Sequence, residues 1–471
     1  MIRLALLRAC ALSLLLLPAA AGSAATGVKL PAFKSATLAN GAVVALVEKR
    51  DTPLVSMNVT VRGGALGDPA GRDGTASLFA ELIQKGAGKR NAMEFAEAIE
   101  NAGGAIAAGA GSESLALNAT FLARDTDLML ELVADALQRP RLDPAEFDKA
   151  RTLAIQSIAA AKDSDPRALM SSYGDAWLFQ GHPYGRPVGG SEATLAAIQL
   201  DDLRRFYAEQ VGGDRLIITV VGDFDAAALL QRLEQGFGGW RKAALPVPVA
   251  PAPARAPGGS VLLIDKPGAT QTYFWLGTVG ASRSDPARTA QTVVNTVFGG
   301  RFTSMLNTEL RVNSGLTYGA NATFDRRIQP AAYRIGSYTE TSKTTQAIDL
   351  ALATLARLHQ DGLDPGQLQS SKSYILGQFP PTLETNGQIA ARLADMLFHG
   401  LGTDDVDGYA DRIGQVDAAA VRAAIDGSFP KPADLKLVLI GDAAKIREAV
   451  GKYGPVTEMK LTDPRFAPDA R

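Results

Sequence analysis

Arg311 and Tyr318, a guanidinium and a phenol close together in the chain, are the side chains whose types and spacing best suit contact with a substrate. They lie in the run Leu306-Asn307-Thr308-Glu309-Leu310-Arg311-Val312-Asn313-Ser314-Gly315-Leu316-Thr317-Tyr318-Gly319. Thr303 or Ser304 can cap a helix whose apolar positions Met305, Leu306 and Leu310 recur at helical spacing, and Asn313-Ser314-Gly315 ends it. Arg311 then sits in the last turn. Tyr318 alternates with Ala320, Ala322 and Phe324 and opens a strand, so a helix end and a strand start bring the two side chains together. A plainer reading fits the spacing as well and is the commoner one: Arg311 on the last helical carbonyls or a surface carboxylate, Tyr318 in the core.

Other chemistry is poorly supplied. The single cysteine, Cys10, lies in an apolar leader, so the rest of the chain offers no thiolate nucleophile, thiolate metal site or disulfide. Only His182, His359 and His399 are present, and no two stand a helical turn apart. The serines lack a nucleophile elbow, no phosphate-binding loop of the Gly-x-x-x-x-Gly-Lys-Ser/Thr type occurs, and the carboxylates show no distinguishing spacing. Gly103-Gly104 and Gly299-Gly300 read as turns rather than ligand cradles.

The elements that must position Arg311 and Tyr318 follow from length and repetition. A chain of 471 residues suits two domains of roughly 200 residues each. A formal charge of −1 gives no basic excess for nucleic acid. Arg3 and Arg8 precede the apolar run Ala9 to Leu17, and Gly22-Ser23-Ala24-Ala25 offers small residues for cleavage, so residues 1–25 read as a secretory signal peptide. That run is shorter than the roughly 20 residues that span a bilayer, and its leucines fit an export signal better than an amphipathic mitochondrial presequence. No membrane span is expected after its removal.

The remainder repeats itself. Val43 to Lys49 resembles Ser260 to Lys266 and Asp68-Pro69-Ala70 resembles Asp285-Pro286-Ala287, both offset by 217 residues. Leu216 to Asp223 resembles Leu435 to Asp442 at an offset of 219. Between the copies, the proline- and alanine-rich stretch 245–259 reads as an extended linker that ties two bodies without fusing them. Residues 26–244 and 260–471 then form two homologous domains in tandem. Each begins with strands and continues into helices, which argues for an α+β fold with helices on one face of a mainly antiparallel sheet. Asn91-Ala92-Met93-Glu94 is a capping-box start, and Asp143-Pro144 a capped helix start with proline in the first turn.

The segment Phe298-Gly299-Gly300-Arg301-Phe302-Thr303-Ser304-Met305 through Tyr318 resembles the second half of the pitrilysin/insulinase-like zinc peptidases. The first half resembles them through Asn101-Ala102-Gly103-Gly104, His182 to Glu192 and Val221-Gly222-Asp223. In active members a helix carries His-x-x-Glu-His, two histidines a turn apart with a glutamate that activates zinc-bound water. By this resemblance the first histidine position falls on Ser77, the catalytic glutamate on Ala80, the second histidine on Glu81, and the remaining ligand, a later glutamate, on Ser157. No zinc ligand set remains, and Ile106-Ala107-Ala108-Gly109-Ala110 lacks the asparagine common on the family's peptide-pairing edge strand.

The resemblance further implies half of a clamshell. In this family an arginine and a tyrosine spaced as Arg311 and Tyr318 hold peptide over a metal carried elsewhere. The expectation is a zinc-less subunit of an exported, periplasmic heterodimer. It needs no cofactor of its own, and a homologous partner with His-x-x-Glu-His brings the zinc. Arg311 binds substrate peptide, and Tyr318 both binds it and stabilises the oxyanion. The alternative is a non-catalytic peptide-binding or scaffold protein of the cell envelope.

Overall fold

The computed structural model describes residues 27–255 and 257–468; the leader expected over residues 1–25 lies outside them. Among the described residues, twelve strands form two six-stranded sheets. The first contains β1 (Lys34–Thr37), β2 (Val43–Glu48), β3 (Leu54–Arg62), β4 (Ala105–Ala110), β5 (Ser114–Leu122) and β6 (Leu216–Gly222), in the order β1-β2-β6-β3-β5-β4. The second contains β7 (Val261–Asp265), β8 (Gln271–Val279), β9 (Ala320–Arg326), β10 (Pro330–Glu340), β11 (Lys436–Gly441) and β12 (Val456–Lys460), in the order β12-β7-β11-β8-β10-β9. Most neighbours are antiparallel; β2 with β6, β7 with β11 and β7 with β12 are parallel. The internal repeat is thus a repeat of topology, with β4 and β9 as equivalent edge strands.

Local signals behave as their chemistry requires. Asn91 and Glu94 close the capping box of the helix Ala92–Asn101, and Asp143 accepts the amides of Ala145 and Glu146 at the start of the helix Pro144–Ser164. On β7, Val261 and Leu263 enter one core while Leu262 and Ile264 enter another. Such uninterrupted apolar strands arise where both faces of a sheet are covered.

The second face of each sheet is covered by the other half. Leu169, Met170, Tyr173 and Trp177, on and just before the helix Met170–Leu178, pack with Leu262, Ile264, Trp275 and Val438 of the second sheet. Reciprocally, Ile389, Ala390, Leu393 and Met396 of the helix Asn386–Phe398 pack with Val47 and Val221 of the first. Thr219 Oγ1 donates to Ala390 O at 2.8 Å, and Lys436 Nζ to Trp177 O at 3.3 Å, across the same contacts. Each large apolar side chain buried here contributes on the order of 2 kcal/mol. A linker that merely ties two separate bodies therefore does not describe the packing. The described residues of the stretch 245–259 form no strand or helix, but the halves are interlocked by an exchange of equivalent helices. Among the described residues, no helix is long and apolar enough to cross a membrane.

Candidate functional site

Ser304 caps the helix over Arg311, its hydroxyl accepting the amide of Asn307, and Leu306 and Leu310 are fully buried. The helix is regular only over Met305–Asn307 and widens into a π-helical turn over Thr308–Asn313. Gly315 then turns at φ +61°, a conformation that favours glycine. Asn307 Oδ1 accepts the amide of Ala320 at 2.8 Å, fastening the helix to the first residue of β9. Thr339 Oγ1 donates to Leu316 O at 2.7 Å and Ser337 Oγ to Gly319 O at 2.9 Å, so β10 holds the intervening turn. The strand begins at Ala320, two residues beyond Tyr318, because these side-chain bonds occupy the turn that a longer strand would need.

Arg311 and Tyr318 meet, with the guanidinium carbon 4.4 Å from the phenol ring centroid. The same carbon stands 4.5 Å from the ring of Phe302, a residue that sequence spacing does not single out. Phe302 lies outside any helical or strand period shared with Arg311, so only the folded backbone brings it there. Tyr318 is 73% exposed and Phe302 65%, which excludes the core reading of Tyr318.

The plain role for Arg311 is also filled by other groups. Leu310 O accepts the amides of Leu316 and Thr317, and Ser314 Oγ donates to Glu309 O at 2.7 Å. The neighbouring carboxylate of Glu309 takes Arg357 at 2.8 Å, a hydrogen bond that holds its pKa below the usual value. Among the described residues the Arg311 guanidinium makes no hydrogen bond or ion pair. Its N–H groups are free for carbonyl or carboxylate oxygens. Beside Tyr318 opens a cavity of about 480 Å³, lined by Met170, Trp275, Asn321, Arg334 and Tyr338 among others, so it draws on both halves of the chain.

The residues on which the resemblance places the zinc ligands and the catalytic glutamate have surroundings of other kinds. Ser77 Oγ donates to Val188 O at 3.0 Å, Ala80 is 1% exposed, and Glu81 pairs with Lys85 at 2.9 Å. Gln84 Nε2 donates to Ala80 O at 2.9 Å and to Ala108 O on β4 at 3.2 Å, tying the helix Thr75–Leu82 to the edge strand. Ser157 lies exposed on the helix Pro144–Ser164. This donor set does not fit zinc, which needs deprotonated nitrogen, sulfur or carboxylate ligands converging on one point. Among the described residues no group of three or more His, Cys, Asp or Glu converges to hold a metal. The histidines have structural partners: His182 Nε2 lies 2.9 Å from Pro251 O, His359 Nε2 2.9 Å from Pro430 O, and His399 Nε2 3.4 Å from Asp395.

Comparison with known proteins agrees with this anatomy. Residues 43–192 match the family described as "Insulinase (Peptidase family M16)", and residues 197–374 match "Peptidase M16 inactive domain". An uncharacterized zinc protease of Mycobacterium leprae is 27% identical over 72% of this chain and 76% of its own length. The beta subunit of the mitochondrial-processing peptidase of Lentinula edodes is 24% identical over 44% of each chain. The crystal structure of a peptidase M16 inactive domain from Pseudomonas fluorescens superposes with a TM-score of 0.81 at 21% identity, covering 87% of this chain and 98% of that one. A Helicobacter pylori protease gives 0.79 at 19% identity, covering 87% of this chain and 100% of the other. With both halves matched in order and the two-sheet architecture shared, the chain belongs to the insulinase-like M16 peptidase family.

Proposed function

We propose that this chain is the zinc-less subunit of an exported two-chain metallopeptidase, lending Arg311 and Tyr318 to peptide bound at a zinc site on a homologous partner. The observation that carries the reading is the pairing of an unengaged guanidinium with an exposed phenol at 4.4 Å, in a chain whose own ligand positions hold Ser77, Ala80, Glu81 and Ser157. Arg311 supplies in-plane N–H donors to peptide carbonyl oxygens. Tyr318 supplies one hydroxyl donor to the oxyanion that develops during attack on the scissile carbonyl, an interaction that strengthens in the transition state. The partner carries His-x-x-Glu-His and, like this chain, works outside the cytoplasm.

Co-purification tests this directly, with zinc analysis and peptide cleavage measured for each chain and for the mixture. Zinc in the partner alone and cleavage only by the mixture are expected. Stoichiometric zinc in this chain by itself, or unaided cleavage by it, would refute the proposal.

A second reading, a peptide-binding or scaffold protein of the envelope without catalytic role, draws on β4. That strand ends its sheet with one edge unpaired and is built of small residues, a form suited to strand addition by a peptide. Gln84 already occupies the Ala108 carbonyl, which counts against that use of the edge. The readings separate on Arg311 and Tyr318, which a scaffold does not need.

A further inference from the structure

We propose that Phe302 is a positioning residue for Arg311: with Tyr318 it seats the guanidinium over two aromatic rings, leaving its N–H groups to face peptide carbonyl oxygens. The inference rests on the reading of Arg311 as a peptide-holding group and adds the device that makes it effective. Phe302 immediately precedes the segment that caps the helix bearing Arg311, yet it is 65% exposed. An aromatic ring left out of the core beside a cation gains from that cation what it does not gain from burial. The guanidinium carbon lies 4.5 Å from the Phe302 centroid and 4.4 Å from that of Tyr318, both inside the roughly 6 Å range of a cation–π contact.

The need for such a device follows from what Arg311 lacks. The helix-end carbonyls are taken by backbone amides and Ser314, and Glu309 is taken by Arg357. A long side chain without a hydrogen-bonded partner samples many rotamers, and fixing it on a peptide costs that freedom at the moment of binding. Two rings restrict it beforehand. They do so without consuming a single N–H donor, because a ring face attracts the cation through its quadrupole while oxygen acceptors are still met by the N–H groups. A carboxylate in the same place would hold the side chain equally well but would use the donors and cancel the charge.

Two measurements test this. In the isolated chain, ring currents should shift the Arg311 δ-methylene proton resonance upfield; the signal is assigned by its loss in Arg311→Lys. Phe302→Leu, which keeps an apolar side chain without a ring, should return the resonance toward its unstacked position, and Phe302→Tyr should retain the shift. An unchanged resonance in Phe302→Leu would overturn the inference. In the complex with the zinc-bearing homologue, with a fluorescence-quenched peptide as probe, Phe302→Leu should raise KM on the order of tenfold with kcat within about twofold. Phe302→Tyr should restore KM, and Phe302→Leu should add nothing to Arg311→Ala, since both act through one group. A raised KM in Arg311→Ala with no effect of Phe302→Leu would sink the clamp alone. An unchanged KM in Arg311→Ala, with the resonance behaving as expected, would sink the peptide-holding role and leave the clamp standing.

Discussion

Gly174 lies against Trp275 so closely that a Cβ built on it would stand 2.5 Å from the indole Cε2. The contact joins the halves, since Gly174 belongs to the helix Met170–Leu178 and Trp275 to β8. Alanine in place of a helix-interior glycine ordinarily stabilises by about 0.5–1 kcal/mol. Here the indole is 2% exposed and lies over Gly277 on the same strand, so it has little room to retreat. Gly174→Ala is therefore expected to destabilise by about 1–3 kcal/mol. Urea unfolding followed by tryptophan fluorescence checks the sign, and the interlocked halves should unfold in one transition.

Tyr318→Phe keeps the ring that stacks on Arg311 and removes only the hydroxyl. A single oxyanion donor is worth about 3 kcal/mol in the transition state, so kcat of the two-chain complex should fall on the order of 100-fold while KM stays near its original value. With Tyr318 exposed, folding should be unaffected, and circular dichroism serves as the control. Full activity in this variant would remove Tyr318 from the chemistry.

Placing a glutamate at Ala80, where the resemblance puts the catalytic base, should fail for a packing reason. Ala80 is buried in the first core with Leu78, Phe79 and Leu82 of its own helix. A carboxylate there is desolvated without a built partner, and Ala80→Glu should cost roughly 2–4 kcal/mol. The midpoint of thermal unfolding measures it. A neutral substitution would mean that the core around Ala80 has room for a solvated carboxylate.

The Asp175 carboxyl makes an ion pair at 3.3 Å with Arg327, but its Oδ1 has no hydrogen-bond partner. Burial pushes its pKa up to about 6 from 3.8, against the opposing pull of Arg327. Between those values the folded chain holds a proton that the unfolded chain has released. This contribution to stability is full below about pH 4 and is lost as pH rises through about 6. Asp175→Asn keeps the shape and removes the titration. Relative to this variant, the wild-type chain should lose about 1–2 kcal/mol between pH 4 and 6.5, read from urea midpoints at both pH values. Parallel pH dependence in the two proteins would refute the assignment.

Much of the fold was legible because each signal was local or repeated. The cap at Asn91 and the proline after Asp143 act within a few residues, and the 217-residue offset places β3 on β8. The juxtaposition of Arg311 and Tyr318 was legible for the same reason, since a helix end and a strand start constrain neighbours. Phe302 was not. Its ring reaches Arg311 through the path of the π-helical turn and the bends before it, which no periodicity encodes.

The sequence by itself determined which side chains stand at positions 77, 80 and 81 and that the chain is a duplication. Serine, alanine and a lone glutamate at positions 77, 80 and 81 cannot supply imidazole ligands in any conformation, and similar segments build similar topologies. Only the tertiary structure decided which surfaces cover which. Hydrophobic spacing marks the face of a helix that must be buried, but burial is non-directional and names no partner. The exchange of the helices Met170–Leu178 and Asn386–Phe398 between sheets, and the exposure of Tyr318 beside its cation, therefore appear only once the whole chain has packed.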